Sequence, residues 1–217
     1  MAYPNGVDWA ATGSMLQGIG TIVGAGAVMW GAAKGTAAWK EQKRAERRLQ
    51  MAEQILTATH RVRGAIAYVR GVMLWAHELN AAEEKLKEDA HWTSQTQARQ
   101  KRLITAQAYY TRLNNTRKDQ DALVDCLPMA RALFSEELEK AVETLNRQFW
   151  IIRTYVDASV DDEPGLDADF TQKIRRAMYD IDPQEGEENE VTTAVNGAVA
   201  TIERICVPSL RLDPPGP

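Results

Sequence analysis

The sequence predicts an all-α protein, in which an N-terminal single transmembrane helix continues toward a long cytoplasmic helix and an antiparallel helical bundle follows. Three observations predict this class. An uncharged stretch runs from Trp9 to Ala33. Apolar residues after it recur at spacings of three and four, and no segment alternates as a half-buried strand does. The net charge of the 217 residues is −4, which argues against a nucleic-acid partner.

The first predicted element is a transmembrane helix over 9–34. About 20 residues cross a hydrocarbon core of about 30 Å, and Trp9, Trp30 and Trp39 lie where indole rings favour the headgroup layers. No Lys or Arg precedes the stretch, whereas several follow at once. The positive-inside bias makes 1–8 a short external N-terminus and places the rest in the cytoplasm. A buried helix or a hairpin of apolar turns remains an alternative.

Two sets of candidate site residues belong to this region. Small residues form one stripe of the span and predict self-association or docking on a partner membrane protein, because they let helices approach closely; a plain anchor is the alternative. The stripe comprises Gly13, Gln17, Gly20, Gly24, Ala27 and Gly31. The cations after it predict contact with anionic lipid headgroups, at about 1 kcal/mol each. They are Lys34, Lys40, Lys43, Arg44, Arg47 and Arg48.

The next predicted element is a long juxtamembrane helix over 35–90. It contains no proline, and its apolar residues form a heptad seam typical of a coiled coil. The seam consists of Ile55, Thr59, Val62, Ile66, Val69, Met73 and Ala76. Gly64 and Gly71 weaken the middle of this helix, since glycine costs about 1 kcal/mol relative to alanine.

A helical bundle is predicted over 91–207, with a disordered tail over 208–217. Thr93 or Ser94 caps a helix that runs to about Cys126, and Pro128 breaks it. Ser135 begins the next helix. The buried face of that helix is predicted to be Leu138, Val142, Leu145, Phe149 and Ile152. An acidic loop over 161–169 then leads to a short helix over 170–179. A second acidic linker, over 182–190, leads to a last helix over 191–207.

The sequence contains no recognisable catalytic chemistry, so no catalytic, cofactor-binding or metal-ligating residue is assigned and the chain is not expected to be an enzyme. The three histidines form no metal-binding pair, and neither a phosphate-binding loop nor a nucleophile motif occurs. Cys126 and Cys206 have no metal or redox spacing and are expected to be buried free thiols. The aromatic residues Trp92, Tyr109, Tyr110 and Trp150 could stack on a ligand, but aromatic residues at helical spacing are more often core residues, and these four are interpreted as such.

Four short segments resemble small bacterial single-pass membrane proteins of unknown function. They are Asp8-Trp9, Gly18-Ile19-Gly20-Thr21-Ile22-Val23, the basic run Trp39-Lys40-Glu41-Gln42-Lys43-Arg44, and Ile202-Glu203-Arg204-Ile205-Cys206-Val207-Pro208. The resemblance covers about a quarter of the chain. It implies a location in the bacterial inner membrane with a helical cytoplasmic part, and it supplies no catalytic residues.

These observations together predict a membrane-anchored helical interaction or scaffold protein that self-associates through its span. Its expected partners are the membrane and either a second copy or another membrane protein; no nucleic acid is expected. Two alternatives remain open at this stage. One is a membrane effector or pore component, and the other is a helical ligand sensor or enzyme that uses the interior of the bundle.

Overall fold

A computed structural model describes the backbone of 9–163, 166–180 and 189–211; side chains are described for Thr36 and from Trp39 onward within those ranges. The described chain is helical and contains no strand, which confirms the all-α class. The predicted external N-terminus and most of the predicted tail lie outside the described residues. In the part of the chain that the structure describes, no helix combines the length and the apolar character needed to cross a membrane.

The chain divides into two compact units, Met1–Arg47 and Arg48–Pro217. Helix α1 (Trp9–Val69) begins in the first unit and ends in the second. The other described helices belong to the second unit. They are α2 (Ala76–Lys87), α3 (Gln97–Asn115), α4 (Arg117–Val124), α5 (Leu127–Leu133), α6 (Glu136–Asp161), α7 (Ala168–Met178) and α8 (Glu190–Leu210), with one 3₁₀ turn at Trp92–Ser94.

Hydroxyl side chains set the first residues of two of these helices. Ser135 caps α6 as predicted, because its Oγ accepts a hydrogen bond from the backbone N–H of Leu138 at 3.2 Å. Helix α3 begins later than predicted. Thr93 and Ser94 lie in the 3₁₀ turn, and Thr96 caps α3 by accepting from the backbone N–H three residues on at 3.3 Å.

Helix α6 is at the centre of the second unit. It packs against α3, α4, α5, α7 and α8. Its predicted buried face is confirmed, since all five side chains are at most 4% exposed. Burying an aliphatic side chain of this size contributes about 1.5–3 kcal/mol relative to leaving it in water. This face therefore accounts for a large part of the hydrophobic core, which also includes buried residues of α1, α3 and α8.

The predicted seam is buried only up to Val69. Five of its residues, from Ile55 to Val69, are at most 2% exposed, whereas Met73 and Ala76 are exposed. The expected helix over 35–90 is divided here, because α1 ends and α2 begins only at Ala76. A tertiary hydrogen bond stabilises the end of α1, because the backbone carbonyl of Arg70 accepts from the backbone N–H of Asp180 at 3.1 Å. The buried part of the seam packs within this chain's own core.

Candidate functional site

The last turn of α1 and the connection to α2 expose a cluster of large apolar side chains. Tyr68 is 48% exposed, Val72 53%, Met73 65% and Trp75 59%. We call these four residues the apolar loop patch. A single exposed apolar residue is ordinary on a soluble surface, whereas a concentration of them marks interaction sites. Four within eight consecutive residues make this the strongest candidate for an interaction surface in the described chain.

The buried guanidinium of Arg112, on α3, holds the backbone beneath the apolar loop patch. Its Nη1 donates to the carbonyl oxygen of Gly71 at 2.8 Å, and its Nη2 donates to that of Met73 at 2.7 Å. The same guanidinium lies 5.2 Å from the centre of the Tyr68 ring, within cation–π range. The loop is therefore fixed by a side chain of α3 and not only by hydrogen bonds within the loop itself.

Glu78 neutralises Arg112 through two parallel hydrogen bonds. Arg112 Nε lies 2.7 Å from Glu78 Oε1, and Nη2 lies 2.8 Å from Oε2. The same carboxylate accepts from the backbone N–H of Trp75 at 2.9 Å, at the start of α2. The hydrogen bonds from Arg112 lower the pKa of Glu78 to about 2 against the opposing effect of burial. The patch thus covers a neutral, fully paired polar cluster.

A second buried arginine, Arg70, ties the end of α1 to α7 and α8. Its guanidinium donates to three backbone carbonyls at the C-terminal end of α7, where the helix dipole favours a cation. The acceptors are Arg176, Ala177 and Tyr179, at 2.9, 3.0 and 2.7 Å. It also lies 3.1 Å from Asp180 Oδ1 and 3.0 Å from Asn189 Oδ1. Burial lowers the pKa of Arg70, and Asp180 opposes that effect.

The second candidate site is a cavity of about 560 Å³ where α7 and α8 pack against α6. Trp150 lines it and is 62% exposed. The interpretation of Trp150 as a core residue is therefore wrong, because its side chain leaves α6 on the side away from the buried face. Tyr109, in contrast, is fully buried as expected.

The structure describes only part of the residues predicted to act in association and lipid contact. The side chains of Gly13, Gln17, Gly20, Gly24, Ala27, Gly31 and Lys34 lie outside the described residues. The other predicted lipid contacts, Lys40, Lys43, Arg44, Arg47 and Arg48, are exposed along α1. Two of these have partners within the chain: Lys43 lies 2.6 Å from Glu46, and Arg48 lies 5.3 Å from the ring centre of Phe134.

Sequence reasoning missed Arg70 and Arg112. Arg70 directly follows the seam residue Val69, and Arg112 lies directly before the apolar-stripe residue Leu113. Neither placement signals burial, because arginine is mostly exposed and is fully buried only where partners are supplied. The apolar loop patch also had no signal in the sequence, because Met73 fits the heptad spacing.

Cysteines and clusters of potential metal ligands suggest no further site. Cys126 and Cys206 are buried free thiols, as predicted, and burial raises the pKa of Cys206 to about 12. Within the described ranges, no cluster of His, Cys, Asp and Glu is placed to hold a metal ion.

Comparison with protein-family models, curated proteins and solved structures gives no match to this chain.

Proposed function

We propose that this chain is a helical interaction protein that self-associates, and that its second unit binds a second copy through the apolar loop patch. The observation that carries the proposal is the arrangement of four exposed apolar side chains at the end of α1 and on the following loop, which Arg112 fixes. Aromatic residues and Met are enriched at the centres of protein interfaces. A loop already held in one conformation loses less entropy on binding than a mobile loop does.

The size and the lack of charge of the patch are compatible with a second copy as the occupant. The four side chains expose on the order of 500 Å², as large as the functional patches of typical monomers, and a standard interface buries about 800 Å² per partner. In a twofold contact the same patch faces itself. None of the four side chains is charged, so such a contact brings no like charges together.

Sedimentation equilibrium of the full-length protein tests this proposal. Met73→Glu places two carboxylates near each other in a twofold contact, and we expect dissociation to increase by at least tenfold. The matched control is Met129→Glu, which places the same charge at an exposed methionine on α5. Equal dissociation constants for wild type and Met73→Glu would contradict the proposal, as would the same loss in both variants.

The proposal includes a membrane anchor over 9–34 at the bacterial inner membrane and a contribution of the small-residue stripe to association. Its support is the uncharged sequence of that stretch, the cations after it and the resemblance to single-pass proteins. An anchored protein resists an alkaline carbonate wash and requires detergent. In detergent, Gly20→Leu with Gly24→Leu weakens association if the stripe contributes, independently of Met73→Glu.

A further inference from the structure

A small cavity lies between α3, α7 and the end of α6, and it is distinct from the cavity beside Trp150. Its volume of about 250 Å³ is below the range of about 300–1,000 Å³ typical of pockets for drug-sized ligands, so its occupant is a small ion. We propose that this cavity binds inorganic phosphate in the form of hydrogen phosphate. The charge of the lining, the fixed position of one arginine and a single carboxylate each match a property of that ion.

Cations outnumber carboxylates in the lining of this cavity. Lys101 and Arg102 of α3 and Arg175 of α7 line it together with one carboxylate, that of Asp162. Within the part of the chain that the structure describes, none of the three cations forms an ion pair. A cleft lined by one sign of charge concentrates ions of the opposite sign. Three positive charges against one negative charge leave an excess of two, which matches a dianion.

The end of α6 fixes Arg102 at the cavity. Its Nε donates to the backbone carbonyl oxygen of Val160 at 2.8 Å, and the side chain is partly buried. No described residue accepts a hydrogen bond from its two Nη atoms. A guanidinium presents its donors in a planar fork that matches the oxygens of phosphate. Because this side chain is already held in place, it loses less entropy on binding than a mobile one does.

Apolar residues of α7 form another part of the lining. Ile174 and Met178 line the cavity and are at most 4% exposed. Low-dielectric walls of this kind focus the field of the neighbouring charges. Lys101 and Arg175 are themselves exposed, so an ion from solvent reaches them directly. The cavity therefore combines accessible cations with a lining that strengthens their attraction for an anion.

The carboxylate of Asp162 distinguishes phosphate from other dianions. Its two oxygens accept from the hydroxyl of Thr171 at 3.1 and 2.9 Å, which fixes the carboxylate at the cavity. An ionised carboxylate only accepts hydrogen bonds and has about four lone-pair sites, so it accepts a further one. Hydrogen phosphate has a P–OH group that donates to it. Sulfate has no proton at neutral pH, and the carboxylate repels it.

Isothermal titration calorimetry of the full-length protein at pH 7.5 and low ionic strength tests the inference. The probes are sodium phosphate, sodium sulfate and glycerol 3-phosphate, which carries the phosphate as an ester, as a lipid headgroup does. We expect phosphate to bind at least tenfold more tightly than sulfate and more tightly than the ester. No heat with phosphate up to millimolar concentration would overturn the site. Equal binding of sulfate would overturn the role of Asp162, and tighter binding of the ester would overturn the assignment to the free ion.

Matched variants locate the binding. Arg175→Gln is expected to weaken phosphate binding at least tenfold, because it removes a charged donor from the lining. Lys173→Gln removes a positive charge from the same helix at a residue that does not line this cavity, and it should leave binding unchanged. Asp162→Asn is expected to bring the affinities for sulfate and phosphate within twofold, because an amide also donates hydrogen bonds.

Circular dichroism verifies that each variant is folded. Equal effects of Arg175→Gln and Lys173→Gln, or an unchanged preference for phosphate in Asp162→Asn, would overturn the proposal. None of these substitutions lies in the apolar loop patch, so the outcome is independent of the proposed self-association.

Discussion

The ion pair between Glu78 and Arg112 predicts a component of stability that is lost in acid. The pKa of Glu78 falls from 4.5 to about 2 in the folded protein. At about 1.4 kcal/mol per pKa unit, this shift corresponds to roughly 3.5 kcal/mol. Because the carboxylate is 14% exposed and partly screened by solvent, we expect the measurable contribution to be about 2 kcal/mol. The perturbation that isolates it is Glu78→Gln.

The sign of the pH dependence follows from the direction of the shift. A carboxyl group whose folded pKa lies below its unfolded pKa stabilises the protein fully at pH values above the unfolded pKa. The stabilisation by Glu78 is therefore complete above about pH 5 and decreases as the pH falls from 4.5 toward 2. Glu78→Gln should lower the free energy of unfolding by about 2 kcal/mol at pH 7, and the difference from wild type should shrink steadily in acid.

Urea unfolding followed by circular dichroism, at pH 7 and at intervals down to pH 2.5, measures this difference. The control is Glu83→Gln on the same helix, where an exposed carboxylate lies 3.2 Å from Lys87. Surface pairs of this kind contribute little, so the control should follow the wild-type pH profile. A Glu78→Gln difference that is absent at pH 7, or that stays constant into acid, would refute the role of this ion pair.

Three further substitutions test the packing of the second unit by urea unfolding. Thr59→Val should stabilise the protein by about 1 kcal/mol, because the buried Oγ1 has no partner among the described residues; destabilisation would contradict the burial. Gly197→Ala should stabilise it by about 0.5–1 kcal/mol, since a Cβ there meets nothing within 4 Å in α8; a loss would indicate an unseen contact. Arg70→Met should cost about 3–5 kcal/mol, because three backbone carbonyls lose their charged hydrogen-bond donor, and a neutral result would contradict the role of this network.

Sequence periodicity was sufficient to predict α6. Its buried residues recur at spacings of three and four, and Ser135 supplies a local cap that requires no tertiary information. The same periodicity also shows why Trp150 is exposed. It directly follows the buried Phe149 and precedes the buried Ile152 by two positions, which places it off the buried stripe. Its misassignment came from residue type, not from the pattern.

Sequence periodicity was insufficient to predict where α1 ends. The heptad spacing continues through Met73 to Ala76, and no proline interrupts it. The helix stops because Arg70 and Arg112 bind groups that are more than 30 residues away in the sequence. Such contacts arise only after α3 and α7 have packed. The apolar loop patch is exposed because α1 ends at Val69. The local sequence pattern therefore could not predict it.

Oxidative cross-linking of Val72→Cys tests the central claim of self-association through the apolar loop patch most directly. The native thiols Cys126 and Cys206 are buried, so the new cysteine is the reactive one among the described residues. The control is Val124→Cys, at an exposed valine on α4. A twofold contact predicts a disulfide-linked dimer for Val72→Cys and none for Val124→Cys. An uncrosslinked Val72→Cys, or equal cross-linking of both variants, would contradict the account.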